Sequence, residues 1–257
     1  MGSAEKSWEL YTQGRYDDAL QSALGELAQE QDWDARKALY AVIAWCHYRR
    51  REYDKALEAI SNAPDDQRAR ECHIYVLAYS KAHTDDKKLS ELMVGMESNV
   101  NAGNALIIRA RAPESTVGHE QVWKMAEGFA QRADAANHDV SLANLLHNAA
   151  RFFHDKARDR RDLKFALGLI EIALAHYGDV ANWHHRAAAC FWMSHILEKL
   201  TAIPEAFAAA TASLRLWQNQ CVLEKKTAPF LSNLQSGCAR VNELATKLVE
   251  FAQRAHS

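Results

Sequence analysis

Apolar and polar positions near the start of the chain fall twice into one pattern. Trp8 and Tyr11, a polar stretch through Gly14, and then Tyr16-Asp17-Asp18-Ala19-Leu20 return as Trp45 and Tyr48, a polar stretch through Arg51, and Tyr53-Asp54-Lys55-Ala56-Leu57. Every partner is displaced by 37 positions, and six of the pairs are identical. The spacing predicts a helix, a tight turn at Gly14 or Arg51, and a second helix opened by Tyr-Asp, whose carboxylate suits the positive end of a helix dipole. Ala19 and Ala56 fall where two antiparallel helices would cross, and a methyl group there lets the backbones approach.

The skeleton Gly14-Arg15-Tyr16-Asp17-Asp18-Ala19-Leu20 resembles the tetratricopeptide repeat family, and the resemblance is clearest over residues 1–65. The second copy departs from the family by placing Arg51 where Gly is preferred, and Pro64 ends it early, so its second helix is expected to be short. The resemblance implies an α-solenoid of antiparallel helix hairpins, a right-handed superhelix whose concave surface is lined by the first helix of each hairpin.

Farther along, the pattern weakens without disappearing. Residues 70–96 read as a degenerate third hairpin that turns at His83-Thr84-Asp85-Asp86, and 99–112 as an apolar segment closed by Pro113. Glu114 to Gly118 is the clearest loop. Beyond it, Ala149, Ala150, Leu163, Ala166 and Leu174 are followed 40 positions later by Ala189, Cys190, Ile203, Ala206 and Leu214. Helix boundaries are expected at Gly178-Asp179 and at Ile203-Pro204. The amphipathic run from Phe230 to Ala255, with Leu231, Leu234, Val241, Leu244, Leu248 and Phe251, suits a terminal cap. The expected fold is all-α, about 12 to 13 helices, with repeats over 1–112, a loop at 113–118 and longer hairpins over 119–257.

Composition narrows the field of functions. Apolar residues make up 48% of the chain and only ten glycines and four prolines interrupt it, which favours long helices over short strands. A formal charge of -2 offers no global field to recruit nucleic acid or an anionic membrane. No run approaches the roughly 20 apolar residues that span a bilayer, and the N-terminus lacks an apolar signal core, so a cytoplasmic protein is expected. Cys46, Cys72, Cys190, Cys221 and Cys238 are scattered and read as buried thiols in a reducing compartment.

The strongest candidate site is the inner wall implied by the resemblance, where the repeat sets Trp8, Tyr11 and Thr12 beside Trp45, Tyr48 and Arg49. Rigid aromatic faces with a guanidinium suit a peptide or partner protein in a concave groove, while packing between helices is the competing role for the same rings. Family members that grip the carboxylate tail of chaperones use Lys and Asn on these helices, and no such set stands here.

Other chemistry has weaker support. His147 and His154 are about 10.5 Å apart along a helix, and adjacent His184 and His185 diverge by about 100°, so no metal is expected. The chain carries no nucleophile elbow and no phosphate-binding glycine loop, so neither enzyme nor cofactor is expected. Asp17-Asp18, Asp65-Asp66 and Asp85-Asp86 read as helix-start acids. The basic run Arg151 to Lys164 is interleaved with Asp155, Asp159 and Asp162, which favours local pairing over RNA. Trp192 reads as core, with a ligand pocket around it and His184 as the alternative. A scaffold or adaptor is therefore expected, with a sensor of a small peptide or metabolite in the lumen as the runner-up.

Overall fold

The computed structural model describes residues 3–96, 98–133, 139–178, 183–224 and 228–255. Asp179 and the side chains of Cys221, Phe230 and Leu231 lie outside the described residues. The protein is all-helical: thirteen helices and no strand occur among the described residues. No helix among them is long and apolar enough to cross a membrane. The chain divides into two compact units, Met1–Val117 and Gly118–Ser257.

The first unit contains α1 (Ser3–Thr12), α2 (Tyr16–Leu27), α3 (Trp33–Arg49), α4 (Tyr53–Ser61), α5 (Gln67–Tyr79), α6 (Asp86–Met93) and α7 (Val100–Ala110). Consecutive helices pack together from α1 to α7, and α1 also packs on α3, α3 on α5 and α5 on α7. Helix α3 therefore has neighbours on most sides. Leu39, Val42, Ile43, Ala44, Trp45 and Cys46 are all buried along it, and no single apolar stripe stands out.

The sequence repeat corresponds to repeated surroundings. Trp8 meets Tyr11 edge-on with ring centroids 5.3 Å apart, and Trp45 meets Tyr48 edge-on at 5.5 Å. Tyr16 tilts against Tyr11 as Tyr53 tilts against Tyr48. Ala19 and Ala56 are fully buried, each at the fourth position of its helix. Helix α4 has nine residues against twelve in α2, consistent with the early stop before Pro64.

Two kinds of helix start alternate here. α3, α5 and α7 open on Asp32, Asp66 and Asn99, whose side chains accept the backbone N–H groups of Ala35, Ala69 and Ala102. Caps of this kind are worth about 1 kcal/mol each. α2 and α4 have no such cap and are entered through left-handed residues, Gly14 and Arg51. α6 breaks the alternation, because Asp85 caps it through the Lys88 N–H. Its neighbour Asp86 does more than start a helix. It is held against the buried Arg109 guanidinium at 2.7 Å and accepts from the hydroxyls of Ser115 and Thr116, so the loop after Pro113 is fastened to α6 and α7.

The second unit contains α8 (His119–Arg132), α9 (Val140–Asp155), α10 (Arg160–Tyr177), α11 (Trp183–Lys199), α12 (Ile203–Glu224) and α13 (Ala228–Ala255). Each packs on the next, and in addition α8 meets α10 and α9 meets α11. The burial pattern of α10 recurs in α12 forty positions on: Ala166, Ile170, Ala173 and Tyr177 are buried, as are Ala206, Ala210, Ser213 and Trp217. Along α13, Leu244 is buried against α12, but Val249 and Phe251 are exposed, so the last turns extend past the surface they cover.

Three expectations change. Asp162 makes the expected local pair with Arg158, but it is only 2% exposed and also takes the Arg158 N–H and the His119 ring, so it is an internal anchor and not a solvated side chain. Its acidity shows the balance: burial pushes the carboxyl up, but the Arg158 backbone bond and the nearby His119 and Arg158 charges hold it below the usual range. Cys46 and Cys72 are buried, whereas Cys190 is half-buried and Cys238 is exposed, so the thiols are not uniformly internal. Trp192 is half-buried beneath the Arg151 guanidinium at 4.5 Å.

Candidate functional site

Four of the six residues expected on the inner wall meet at one cleft. Trp8 and Tyr11 come from α1, and Trp45 and Arg49 from α3. The cleft has a volume of about 330 Å³, and α5 adds Arg68, Glu71 and Tyr75 while α7 adds Asn101. α1, α3 and α5 are the first members of packed pairs, and α7 is the next alternate helix of the unit. Thr12 lies outside the lining, exposed, with its hydroxyl donated to the Glu9 carbonyl. One residue past Tyr11, it has turned about 100° away around the helix. Tyr48 also lies outside the lining. Its ring sits among Trp45, Tyr53, Tyr75 and Tyr79.

The aromatic residues are both wall and support. Trp45 is 8% exposed and donates its indole N–H to the Arg68 carbonyl at 2.9 Å, which ties α3 to the start of α5. Trp45 and Tyr75 meet edge-on at 5.1 Å, and Tyr75 stacks on Tyr79 at 5.7 Å. Groove lining and helix packing are thus the same rings seen from two sides. Burial raises the pKa of Tyr11 and of Tyr75, which keeps both hydroxyls neutral at ordinary pH. The Trp8 indole nitrogen is buried and has no hydrogen-bond partner among the described residues.

Two guanidiniums are held over these rings. Arg49 lies 5.7 Å from the Tyr16 centroid and 5.9 Å from that of Tyr11, and its Nε donates to the Tyr11 hydroxyl at 3.0 Å. Arg68 lies 4.6 Å from the Trp8 centroid. Neither forms an ion pair among the described residues. Glu71 is the one carboxylate in the lining. Burial raises its pKa against the opposing bonds from Asn99, whose Nδ2 donates at 3.4 Å, and from Asn101, and against the charge of Arg68.

Chemically, this arrangement offers flat apolar faces, fixed cations and one reluctant anion, a set suited to holding a ligand. Sequence reasoning missed Arg68, Glu71, Tyr75 and Asn101 because the 37-residue register stops before α5. The signal available was Arg68, Glu71 and Tyr75 at i, i+3 and i+7, one face of a helix.

A second, larger cleft of about 600 Å³ lies in the second unit between the start of α12 and the end of α13, beside Phe251. Its cations are engaged: Lys247 pairs with Glu198 and Glu243, and Arg254 with Glu250. Around Trp192, the neighbours are Arg151, His154 and His195, whereas His184 lies beside His185, which stacks on Tyr177. The two residues singled out for a pocket thus belong to different groupings. No group of three or more His, Cys, Asp or Glu side chains is placed to hold a metal ion among the described residues. Comparison of the chain with family models, with curated proteins and with solved structures finds no match.

Proposed function

We propose that the chain is an α-solenoid of the tetratricopeptide kind that captures a segment of a partner protein on the face shared by α1, α3, α5 and α7. One observation carries this reading: the cleft draws its lining from alternate helices of the first unit, α1, α3, α5 and α7, and from those helices alone. Supporting it are the packing of α1 on α3, α3 on α5 and α5 on α7, and the matching surroundings of Trp8 and Trp45. Rigid aromatic rings give a peptide contact area at little entropic cost, because few side-chain rotations are lost when they bind.

A small-molecule sensor is the second reading, favoured by a volume near the bottom of the range of about 300 to 1,000 Å³ typical of ligand pockets. The test is selection of short random peptides displayed on phage against the intact protein, repeated with Asn101→Trp, which fills the cleft from its exposed rim. Thr12→Glu, outside the lining, is the control. Peptides retained by the parent and the control but lost with Asn101→Trp support the proposal. Failure to retain any peptide, or retention indifferent to the plug, refutes it.

A further inference from the structure

We infer that the captured segment is acidic, and that Asp or Glu side chains of the partner are bound by the guanidiniums of Arg49 and Arg68. This rests on the peptide-binding reading above and names the chemistry of its ligand. The observation behind it is that two ring-held arginines without a carboxylate partner among the described residues line one cleft, whereas several other arginines of the protein are paired. Arg15 pairs with Asp18, Arg109 with Asp86 and Glu114, Arg158 with Asp162, and Arg240 with Glu198 and Glu243. Arg36 and Arg70 spend their donors on backbone carbonyls instead, those of Leu27 and Glu30 and those of Leu92 and Val94. Arg50 pairs with Asp17 and Glu52, yet its immediate neighbour Arg49 pairs with no carboxylate. Arg68 likewise has none among the described residues, and the two line the same cleft.

Both unpaired cations are positioned before any ligand arrives. Arg49 is held by the Tyr11 hydroxyl and the faces of Tyr11 and Tyr16, and Arg68 by the face of Trp8. A guanidinium held over a ring is positioned without spending its donors on the ring, and in Arg49 only Nε is engaged, by the Tyr11 hydroxyl, so the terminal N–H groups remain for a ligand. The rotamer entropy usually lost on binding is therefore already spent by the fold. A carboxylate accepts two parallel N–H bonds from such a fork, a fit in both charge and geometry.

A nucleic-acid strand suits the cleft poorly. A strand needs a track of cations along its backbone, whereas two arginines stand here beside the Glu71 carboxylate in a chain of net charge -2. Apolar or aromatic residues next to the acid would complete the match, because Trp8, Trp45 and Tyr75 form the rest of the wall.

The test passes a pool of random short peptides, acetylated and amidated so that only side chains carry charge, over the immobilised full chain. Retained peptides are released with denaturant and their composition is read by mass spectrometry. The expected result is an Asp plus Glu content about twofold or more above the input pool for the parent protein. The Arg49→Gln/Arg68→Gln variant should lose that enrichment while keeping the enrichment in apolar residues. Both positions are exposed, and a thermal melt superposable on the parent's confirms that the variant is folded. Retained peptides with unchanged acidic content, or an enrichment that survives the double substitution, would overturn the acidic assignment and leave peptide binding standing. Retention no greater than on a blank column overturns both. Displacement of the pool by a single-stranded oligonucleotide would likewise overturn the assignment, by identifying a phosphate backbone as the better occupant.

Discussion

Arg51 adopts, at φ 62°, the left-handed backbone that Gly14 adopts at φ 78° 37 positions earlier. The bonds around them match as well. The Gly14 and Arg15 N–H groups donate to the Tyr11 and Leu10 carbonyls, and the Arg51 and Glu52 N–H groups to those of Tyr48 and His47. Thr201, at φ 65°, repeats the arrangement in the second unit, with Thr201 and Ala202 donating to Glu198 and Leu197. In all three cases the alanine five residues beyond the left-handed position, Ala19, Ala56 or Ala206, is fully buried.

Two of those three positions carry a side chain that the backbone disfavours. A left-handed conformation costs an L-residue about 1 kcal/mol or more, and a β-branched one more still. Arg51→Gly should therefore raise stability by about 0.5 to 1 kcal/mol, and Thr201→Gly by at least as much, after allowance for glycine's larger unfolded-state entropy. Gly14→Ala should lower it by about 1 kcal/mol because the penalty is in the backbone. Crowding has no part in it, since no atom stands within 4 Å of the place the added methyl would take. Denaturant unfolding followed by tryptophan fluorescence measures all three. A loss of stability in both glycine variants would mean that side-chain contacts of Arg51 and Thr201 outweigh the strain.

The pair of Asp86 and the buried Arg109 gives a larger effect. Arg109 is 5% exposed, and its partner Asp86 also accepts the Thr116 backbone N–H. Burial pushes the Asp86 carboxyl up, but the Arg109 and Thr116 bonds outweigh it and hold the pKa below the ordinary 3.8. A depressed carboxylate contributes stability above its unfolded pKa and loses it as pH falls through the folded one. Arg109→Met should cost about 2 kcal/mol at neutral pH, less than for a fully buried pair, since the Asp86 carboxylate loses its charge partner but keeps the Ser115 and Thr116 bonds. Below the unfolded pKa of Asp86 the deficit should shrink, because a protonated carboxyl no longer needs the guanidinium. A deficit that stays constant with pH would assign it to lost packing of the arginine stem.

What the sequence made legible was the local chemistry of the turns. The pair of Tyr16 and Tyr53, the small residues at Ala19 and Ala56, and the 40-residue recurrence of Ala166 in Ala206 all depend on residues close in the chain. The cleft was legible only as far as that register ran. Trp8, Tyr11, Trp45 and Arg49 lie within it. Arg68, Glu71 and Tyr75 stand on a helix entered through an Asp66 cap, in a hairpin that substitutes an Asp85 cap for the left-handed turn, so no repeat position points to them. Asp86 shows the same limit from the other side: a helix-start acid by spacing, it is bound by Thr116, thirty residues away, and by Arg109.

Glu71 separates a binding role for the cleft from a structural one. A carboxyl whose pKa is raised in the folded protein contributes stability below its unfolded pKa and loses it as pH rises through the folded value. At neutral pH the ionised group is therefore a burden, and Glu71→Gln should raise the melting temperature at pH 7 with little change near pH 4. The amide oxygen can still accept from Asn99 Nδ2. The same substitution makes the cleft more positive and should tighten acidic peptides by about twofold to fivefold, within the range of a partly screened charge. A variant that melts lower and binds no better would make Glu71 a strut of the fold.

The second unit should show its own acid sensitivity, set by His195. Burial among Phe191, Trp192 and His154 lowers its pKa to about 4, aided by the Arg240 charge and by His154 and opposed by Glu198 and Glu243. A histidine depressed from 6.5 contributes stability above 6.5, and that contribution is lost as pH falls towards 4, because the unfolded chain takes up the proton first. Carboxylates of the same unit that are held low, Asp162, Glu198 and Glu243, release their contributions from the bottom of this window downwards, starting at unfolded values of 3.8 for the aspartate and 4.5 for the glutamates. His73 and His185 are lowered by burial as well, so His195 is read from the difference between the parent's slope and that of a variant over pH 6.5 to 4. His195→Phe, an apolar ring against Phe191 and Trp192, should flatten the slope in that interval and leave the steeper loss at lower pH in place. Unfolding curves read by tryptophan emission decide it, and parallel slopes for parent and variant would show that His195 is not the group that titrates.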